Sequence, residues 1–391
     1  MRVTHLSLTD FRNYESAELE LAPGPNLFVG SNGQGKTNLV EALGYLSTLA
    51  SHRVSSDHAM IRSGCDAAIV RARLSNGDQS VLAEVQLNRV GANRAQINRS
   101  AIKTRELPRY FSSVLFAPED LALVRGEPSG RRRFLDELLI LRTPRMSAVL
   151  ADYDRVLRQR NSLLKSARAS GARGQLGTLD IWDERLVTFG TEIIEARADL
   201  VDELAPEVEL AYAAIAGAEH AASLSNQLSI LSTGTDDFET DPTGEVLRRD
   251  RLTADQTAEA FRAALVRVRR AELERGITLA GPHRDDLVLT LNDLPARGYA
   301  SHGESWSFAL SLKLASAAVL RRESNSGDPV LILDDVFAEL DESRRDRLAD
   351  AVEGFEQVLI TAAVGGDVPN RLGGNSVLIR AGRIVAGDEN A

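Results

Sequence analysis

The chain has 391 residues, of which 46 are lysine or arginine and 56 are aspartate or glutamate, giving a formal net charge of −10, with 43% hydrophobic and 26% charged residues. That length allows a large core in one or two domains, while the acidic balance excludes a protein that coats nucleic acid with its whole surface, though not one with a local basic face. A single cysteine, Cys65, excludes an intrachain disulfide and a cysteine metal site, and the six histidines lack metal-ligand spacing; the N-terminus does not resemble a leader and no apolar run reaches membrane length, so a cytoplasmic protein is expected.

Residues 2–29 read as short strands: alternation at 17–21, then an apolar run at 26–29 after the turn Pro23-Gly24-Pro25. Phe11-Arg12-Asn13-Tyr14, between the first two strands, is either a plain loop or a supplier of base-stacking or phosphate-contacting groups. Gly30-Ser31-Asn32-Gly33-Gln34-Gly35-Lys36-Thr37 then fits G-x-x-x-x-G-K-[ST], between the apolar strand and a helical pattern at 38–43. In that context it predicts a phosphate-binding loop, whose backbone N–H groups and helix N-terminus face an anion. Lys36 is expected on the β- and γ-phosphates of ATP and Thr37 on Mg²⁺. Ser51-His52-Arg53 follows, with Arg53 a minor candidate, and a hairpin is expected from 67–74 and 81–87 around Asn76-Gly77, extended by strands at 94–98 and 113–116.

After Pro118-Glu119-Asp120-Leu121 the periodicity becomes helical, over 131–139 and again from Pro144 through Leu164. A polar turn at 170–175 and a second long helix over about 178–204 complete a helical hairpin, too short for an extended coiled-coil arm. Residues 232–244 are acidic and turn-rich, as an exposed connection would be. A helix over 257–275 carries Arg262, Arg267, Arg269, Arg270 and Arg275. This is either a solvated face or, together with Arg131, Arg132 and Arg133, a nucleic-acid contact surface. Short strands return from Ile277, through Gly281-Pro282-His283-Arg284-Asp285-Asp286-Leu287.

Ser301 with Glu304 three residues on makes a capping box at the start of an amphipathic helix. The apolar run 329–333 ends in Asp334-Asp335, a strand with two carboxylates at its carboxyl end. Beside a phosphate loop this is a Walker B pattern, with Asp334 on Mg²⁺ and Asp335 polarising the attacking water; Asp341 follows in Glu339-Leu340-Asp341.

The order of phosphate loop, Ser-x-Gly-Glu helix start, paired acidic residues and Glu-Leu-Asp resembles the ABC-type ATPases of the SMC branch. Within them the chain is most similar to the RecF family, in Phe11 to Tyr14, the phosphate loop, the 116–121 segment with its arginine cluster, the 281–287 motif and the 331–341 segment. The resemblance covers essentially the whole length. It implies an α/β ABC-type (SMC-like) P-loop ATPase head formed by both chain ends, residues 1–125 and 276–391, with an inserted α-helical arm at 126–275. It further implies an ATP-dependent homodimer that binds gapped or junction DNA and works with RecO and RecR to load RecA in repair, replication restart and SOS induction. By position, Ser301 and Gly303 would meet ATP held by a second copy, Asp341 would join that interface, Glu119 would stand near a Q-loop position and Thr361 where many relatives have a switch histidine. Those departures, with Asp335 in place of glutamate, imply slow hydrolysis and ATP used as a dimerisation switch. A chromosome-organising SMC ATPase and the ATP subunit of a membrane transporter are the competing classes.

Overall fold

The computed structural model describes residues 1–170, 176–217, 220–232, 251–324 and 327–385. The expected tip at 171–175 and most of the acidic stretch, 233–244, lie outside the described residues. Contact clustering divides the chain into two units: Met1–Val124, Glu207–Ala221 and Ser301–Ala391 form the head, and Arg125–Pro206 with Ala222–Ala300 form the inserted unit.

In the head, a six-stranded sheet runs in the order Arg383–Val385, Asn375–Arg380, Gly24–Val29, Gln357–Ala362, Val330–Asp334 and Ser113–Phe116. All neighbours are parallel except the first pair. Val330–Asp334 and Gln357–Ala362 are buried at every position, as strands covered on both faces must be. The parallel register brings the carboxyl ends of four strands to one edge: Leu333 lies opposite Phe116, Asp334 opposite Thr361, and Thr361 opposite Phe28. Ser113–Phe116 therefore belongs here and not to the hairpin sheet, because its apolar run pairs with Val330–Asp334.

The second head sheet is antiparallel, in the order Tyr14–Glu20, Arg2–Phe11, Ala67–Asn76, Gln79–Asn88, Arg94–Ile97, Ser100–Ile102. Its inward positions, among them Leu6, Leu8, Val70 and Val85, share one apolar core with the helix Lys36–Thr48 and with Val330 and Ile332. Alternation along these strands is what places one face in that core.

The inserted unit contains the helices Pro128–Arg142 and Met146–Ser170, most of Leu176–Ala216, and Ala254–Arg275. The long helix runs past residue 204, since Val208, Tyr212 and Ile215 continue the buried spacing beyond Pro206. This unit also has its own sheet, Leu294–Pro295, Asp286–Leu291 and Ala222–Gln227. The return to the head thus comes at residue 301 rather than 276: Asp286–Leu291 pairs with Ala222–Gln227, a strand whose polar sequence, Ala-Ser-Leu-Ser-Asn-Gln, gives little strand signal. No helix of the described residues is long and apolar enough to cross a membrane.

Inside this unit Arg160 is fully buried and donates to Asp183 Oδ1 at 2.7 Å, Thr278 Oγ1 at 2.8 Å and Glu272 Oε2 at 2.6 Å. Glu272, also fully buried, accepts the Leu279 N–H at 2.9 Å with its other oxygen. Removing the cation would strand Glu272 without its counter-charge. Arg160→Ala is expected to destabilise the protein by about 3–5 kcal/mol, read from chemical denaturation; a loss below about 1 kcal/mol would show that the cluster contributes little.

Candidate nucleotide-binding site

The strand Gly24–Val29 delivers the chain into Gly30–Gly35 beneath the turn at residues 380–383. Gly30 admits no side chain, because a Cβ there would lie 2.3 Å from the Ile379 carbonyl oxygen. Gly35 takes φ 115°, a left-handed conformation suited to glycine, directly before the helix Lys36–Thr48. The loop is held from outside. Tyr14 Oη donates to the Gly35 carbonyl at 3.1 Å, Asn13 Nδ2 to Gln34 O at 3.2 Å, and the N–H groups of Ala381 and Gly382 bond Gln34 Oε1 and O at 2.6 and 2.9 Å. Phe11 and Tyr14 are fully buried, so this turn buttresses the loop rather than offering rings to a base. Ser31, Asn32 and Gly33 stay exposed, and the buried Lys36 folds its ammonium back onto the Gly30 carbonyl at 2.7 Å.

Opposite the loop, Asp334 Oδ1 accepts hydrogen bonds from Thr37 Oγ1 at 3.0 Å and Thr361 Oγ1 at 2.6 Å. Thr361 Oγ1 also accepts the Asp335 N–H at 2.9 Å, fixing the chain at Asp335, which has φ 51°. Asp335 Oδ1 is buried without a hydrogen-bond partner. Burial pushes the Asp335 carboxyl above its ordinary range; Lys36 opposes this shift and Asp334 adds to it.

Two further groups face this place. His52 Nε2, buried and without a hydrogen-bond partner, lies 3.7 Å from Asp334 Oδ2. Arg53 instead bonds Asn38 Oδ1 at 3.0 Å and approaches Glu41. Glu41, with no exposed side-chain surface, takes both Arg12 nitrogens at 2.8 and 2.5 Å and the Ser51 hydroxyl at 2.5 Å. Neither His52 nor Glu41 stands out in the sequence, since their roles depend on a loop and a helix face brought together by folding.

The oxygens at Thr37 and Asp334 are of the hard type that suits Mg²⁺ shared with phosphate oxygens. Among the described residues no group of three or more His, Cys, Asp or Glu side chains forms a self-sufficient metal site. The site therefore fits a cation that arrives with a nucleotide rather than one caged by the protein alone.

Ser301 is exposed and caps the helix His302–Glu323, accepting the Glu304 N–H at 3.3 Å while Glu304 Oε2 accepts the Ser301 N–H at 2.7 Å. Asp341 caps the helix Glu342–Val352 and binds Arg344 through both its N–H and its guanidinium, each at 2.9 Å. The Arg344 guanidinium also covers Gly303 so closely that a Cβ there would meet it at 2.7 Å. Gly303, two residues along the helix start from Ser301, is thus joined to Asp341 through Arg344. Glu119 is exposed, just beyond the carboxyl end of Ser113–Phe116.

The arginine cluster divides. Arg131 is buried, with Nε and Nη2 on the two oxygens of Asp286 at 2.8 and 2.7 Å and Nη1 on the Gly126 carbonyl at 3.0 Å. It is a structural cation and offers no surface to a phosphate, which corrects its place among the DNA-contact candidates. Arg132 is half-buried and donates to the Asp285 carbonyl at 2.7 Å. Arg133 and Arg270 are exposed in i,i+4 pairs with Glu137 and Glu274, and Arg267 is exposed but reaches the Ile230 carbonyl at 3.2 Å. Arg262 is held by Glu184, and Arg269 by Asp183.

Comparison with known proteins identifies the family and the fold. Residues 2–368 match the family described as RecF/RecN/SMC N terminal domain. The chain is 65% identical over 389 residues to the DNA replication and repair protein RecF of Clavibacter michiganensis subsp. michiganensis, covering 98% of this chain and 96% of that one. It is 64% identical over 386 residues to the protein of that name from Leifsonia xyli subsp. xyli, covering 98% and 99%. Among solved structures, the recombination mediator protein RecF with ATP, described as part of the RecFOR pathway, superposes with a TM-score of 0.86 at 28% identity, covering 98% of this chain and 96% of that one. An Smc head bound to the C-winged helix domain of ScpA, at TM-score 0.55 and 14% identity over 100% of this chain and 98% of that one, shares the fold. The head is an SMC-type ABC ATPase head.

The inward turn of Arg131 has a measurable consequence. Arg131→Ala is expected to cost about 3 kcal/mol of stability, because Asp286 loses its paired cation, whereas Arg133→Ala should stay within about 0.5 kcal/mol. Denaturation of the two variants side by side checks this, and equal effects would contradict the division.

Proposed function

This chain belongs to the RecF family of DNA replication and repair proteins, and from that premise we propose that it is an ATP-operated recombination mediator. In this reading ATP draws two copies together, the dimer engages gapped or single-strand/double-strand junction DNA, and RecO and RecR act with it to load RecA in the cytoplasm. The observation that carries the reading is the 3.0 Å bond between Thr37 and Asp334, residues 297 apart in the chain that meet beside the phosphate loop.

Each residue has a role that follows from its surroundings. Backbone N–H groups of the 30–35 loop and the N-terminus of Lys36–Thr48 bind phosphate oxygens. The Lys36 ammonium, which donates to the Gly30 and Ser31 carbonyls, contacts the β- and γ-phosphates. Thr37 and Asp334 hold Mg²⁺, which when bound neutralises phosphate charge. Asp335, made more basic by burial, orients a water and takes its proton. Its carboxylate is one methylene shorter than the more usual glutamate, and this is the basis for proposing slow hydrolysis and a switch-like use of ATP. The helix start of one copy, with Ser301 exposed and Gly303 half-buried under Arg344, meets the triphosphate held by the other, with Asp341 and Arg344 at the same interface; phosphate charge shared by N–H groups from both sides joins the dimer. Glu119 takes the Q-loop position.

Sedimentation with ADP, with ATP and with a non-hydrolysable analogue tests the switch. A dimer is expected only with the triphosphates, and Ser301→Arg should abolish it while leaving ATP affinity within about twofold, since the change sits outside the subunit's own phosphate loop; a normal ATP-dependent dimer in that variant would overturn the arrangement.

DNA contact falls to the exposed arginines. Exposed ion pairs are worth only about 0–1 kcal/mol, so phosphates can displace Glu137 and Glu274. ATP should raise affinity for gapped DNA, and Arg267→Ala with Arg270→Ala should lower the salt slope of that binding by about 1–2. An unchanged slope would return both residues to a solvated face.

A further inference from the structure

The loop that follows the phosphate-loop helix places one polar group in the site without giving it a hydrogen-bond partner. His52 is 14% exposed, its Nε2 has no hydrogen-bond partner, and at 3.7 Å from Asp334 Oδ2 it is beyond hydrogen-bond range. The position is built. The Ser51 hydroxyl donates to the buried Glu41 and accepts the N–H groups of Arg53 at 3.0 Å and Val54 at 3.1 Å, so the backbone on either side of His52 is pinned to the phosphate-loop helix. Glu41 is itself clamped by Arg12.

A buried polar atom without a partner is costly unless a ligand completes it. Two such atoms, His52 Nε2 and Asp335 Oδ1, belong to the neighbours of Asp334: the first lies 3.7 Å from its Oδ2 and the second is on the next residue of the chain. Asp334 already spends Oδ1 on two hydroxyl hydrogens, and its other oxygen faces the imidazole. Base and ribose are not what these groups suit: carboxylates, a lysine and a threonine hydroxyl are the equipment of the terminal end of a triphosphate. Mg²⁺ takes oxygen ligands, so the imidazole serves an anionic oxygen as a donor rather than the cation as a ligand.

Resting on the nucleotide site proposed above, we propose that His52 is a nucleotide-contacting residue that donates its Nε2–H to the terminal phosphate of ATP, so that the 51–53 loop reads whether that phosphate is present. The Glu41–Ser51 contact is what holds it in place, and Glu41 is accordingly a positioning residue. Thr361 is not available for this contact, because its hydroxyl donates to Asp334 at 2.6 Å.

Calorimetric titration of the full chain with a non-hydrolysable ATP analogue and with ADP tests this, using His52→Leu, His52→Gln and, as a control, Lys36→Ala. Leucine keeps the volume and loses the donor, and glutamine keeps an N–H. The Leu variant is expected to bind the analogue about tenfold more weakly with ADP affinity changed less than twofold, and the Gln variant to recover most of that loss. Equal losses for both nucleotides, no loss, or identical behaviour of Leu and Gln would overturn the contact, and thermal melts show whether folding is responsible. Lys36→Ala should lose both nucleotides; if it does while His52→Leu keeps the ratio of the wild type, the His52 assignment fails and the site stands. If Lys36→Ala binds both normally, the nucleotide site fails and this inference with it.

Discussion

The pair of hydroxyl bonds from Thr37 and Thr361 to one oxygen of Asp334 is the constraint on which the head depends. It ties the start of the phosphate-loop helix to the ends of two parallel strands contributed by the far end of the chain. The parallel register makes this automatic: once Leu331 to Asp334 lie beside Val358 to Thr361, and those beside the 25–29 run, three carboxyl ends share one edge. Ligands of open α/β sheets gather at such edges because helices cover the faces.

The support behind that edge consists of buried charge and close backbone approach. Gly30 lets the loop pass against the Ile379 carbonyl, Tyr14 and Asn13 hold the loop from below, and Glu41 gathers Arg12, Ser51 and Arg53 around one carboxylate. Burying Glu41 would be prohibitive alone; with a bidentate guanidinium and a hydroxyl it becomes a rigid joint. Preorganisation of this kind lets a site hold charged ligands with little reorganisation on binding.

In the inserted unit the same physics works against surface charge. Arginines at helical spacing look like a face for phosphates, yet Arg131 turns inward to Asp286 and Arg160 to the buried Glu272 and Asp183. The acids come from the Gly281 to Asp286 stretch and from helices remote in sequence. Of the candidate set, Arg133, Arg262, Arg267, Arg270 and Arg275 remain exposed, while Arg132 and Arg269 are half-buried and Arg131 is interior.

By itself the sequence determined the parts whose function is local. The phosphate loop declares itself because its geometry needs glycines at set spacing, the 330–334 strand because full burial demands an unbroken apolar run, and the Ser301 cap because a capping box spans only four residues. Only the tertiary structure decided that His52 stands beside Asp334, that Arg344 joins Asp341 to Gly303, that Arg131 is interior, and that Asp286–Leu291 pairs within the inserted unit. The physical reason is that a side chain's partner is set by packing between distant segments. A charge carries no mark along the chain of whether it will meet water or a buried opposite charge.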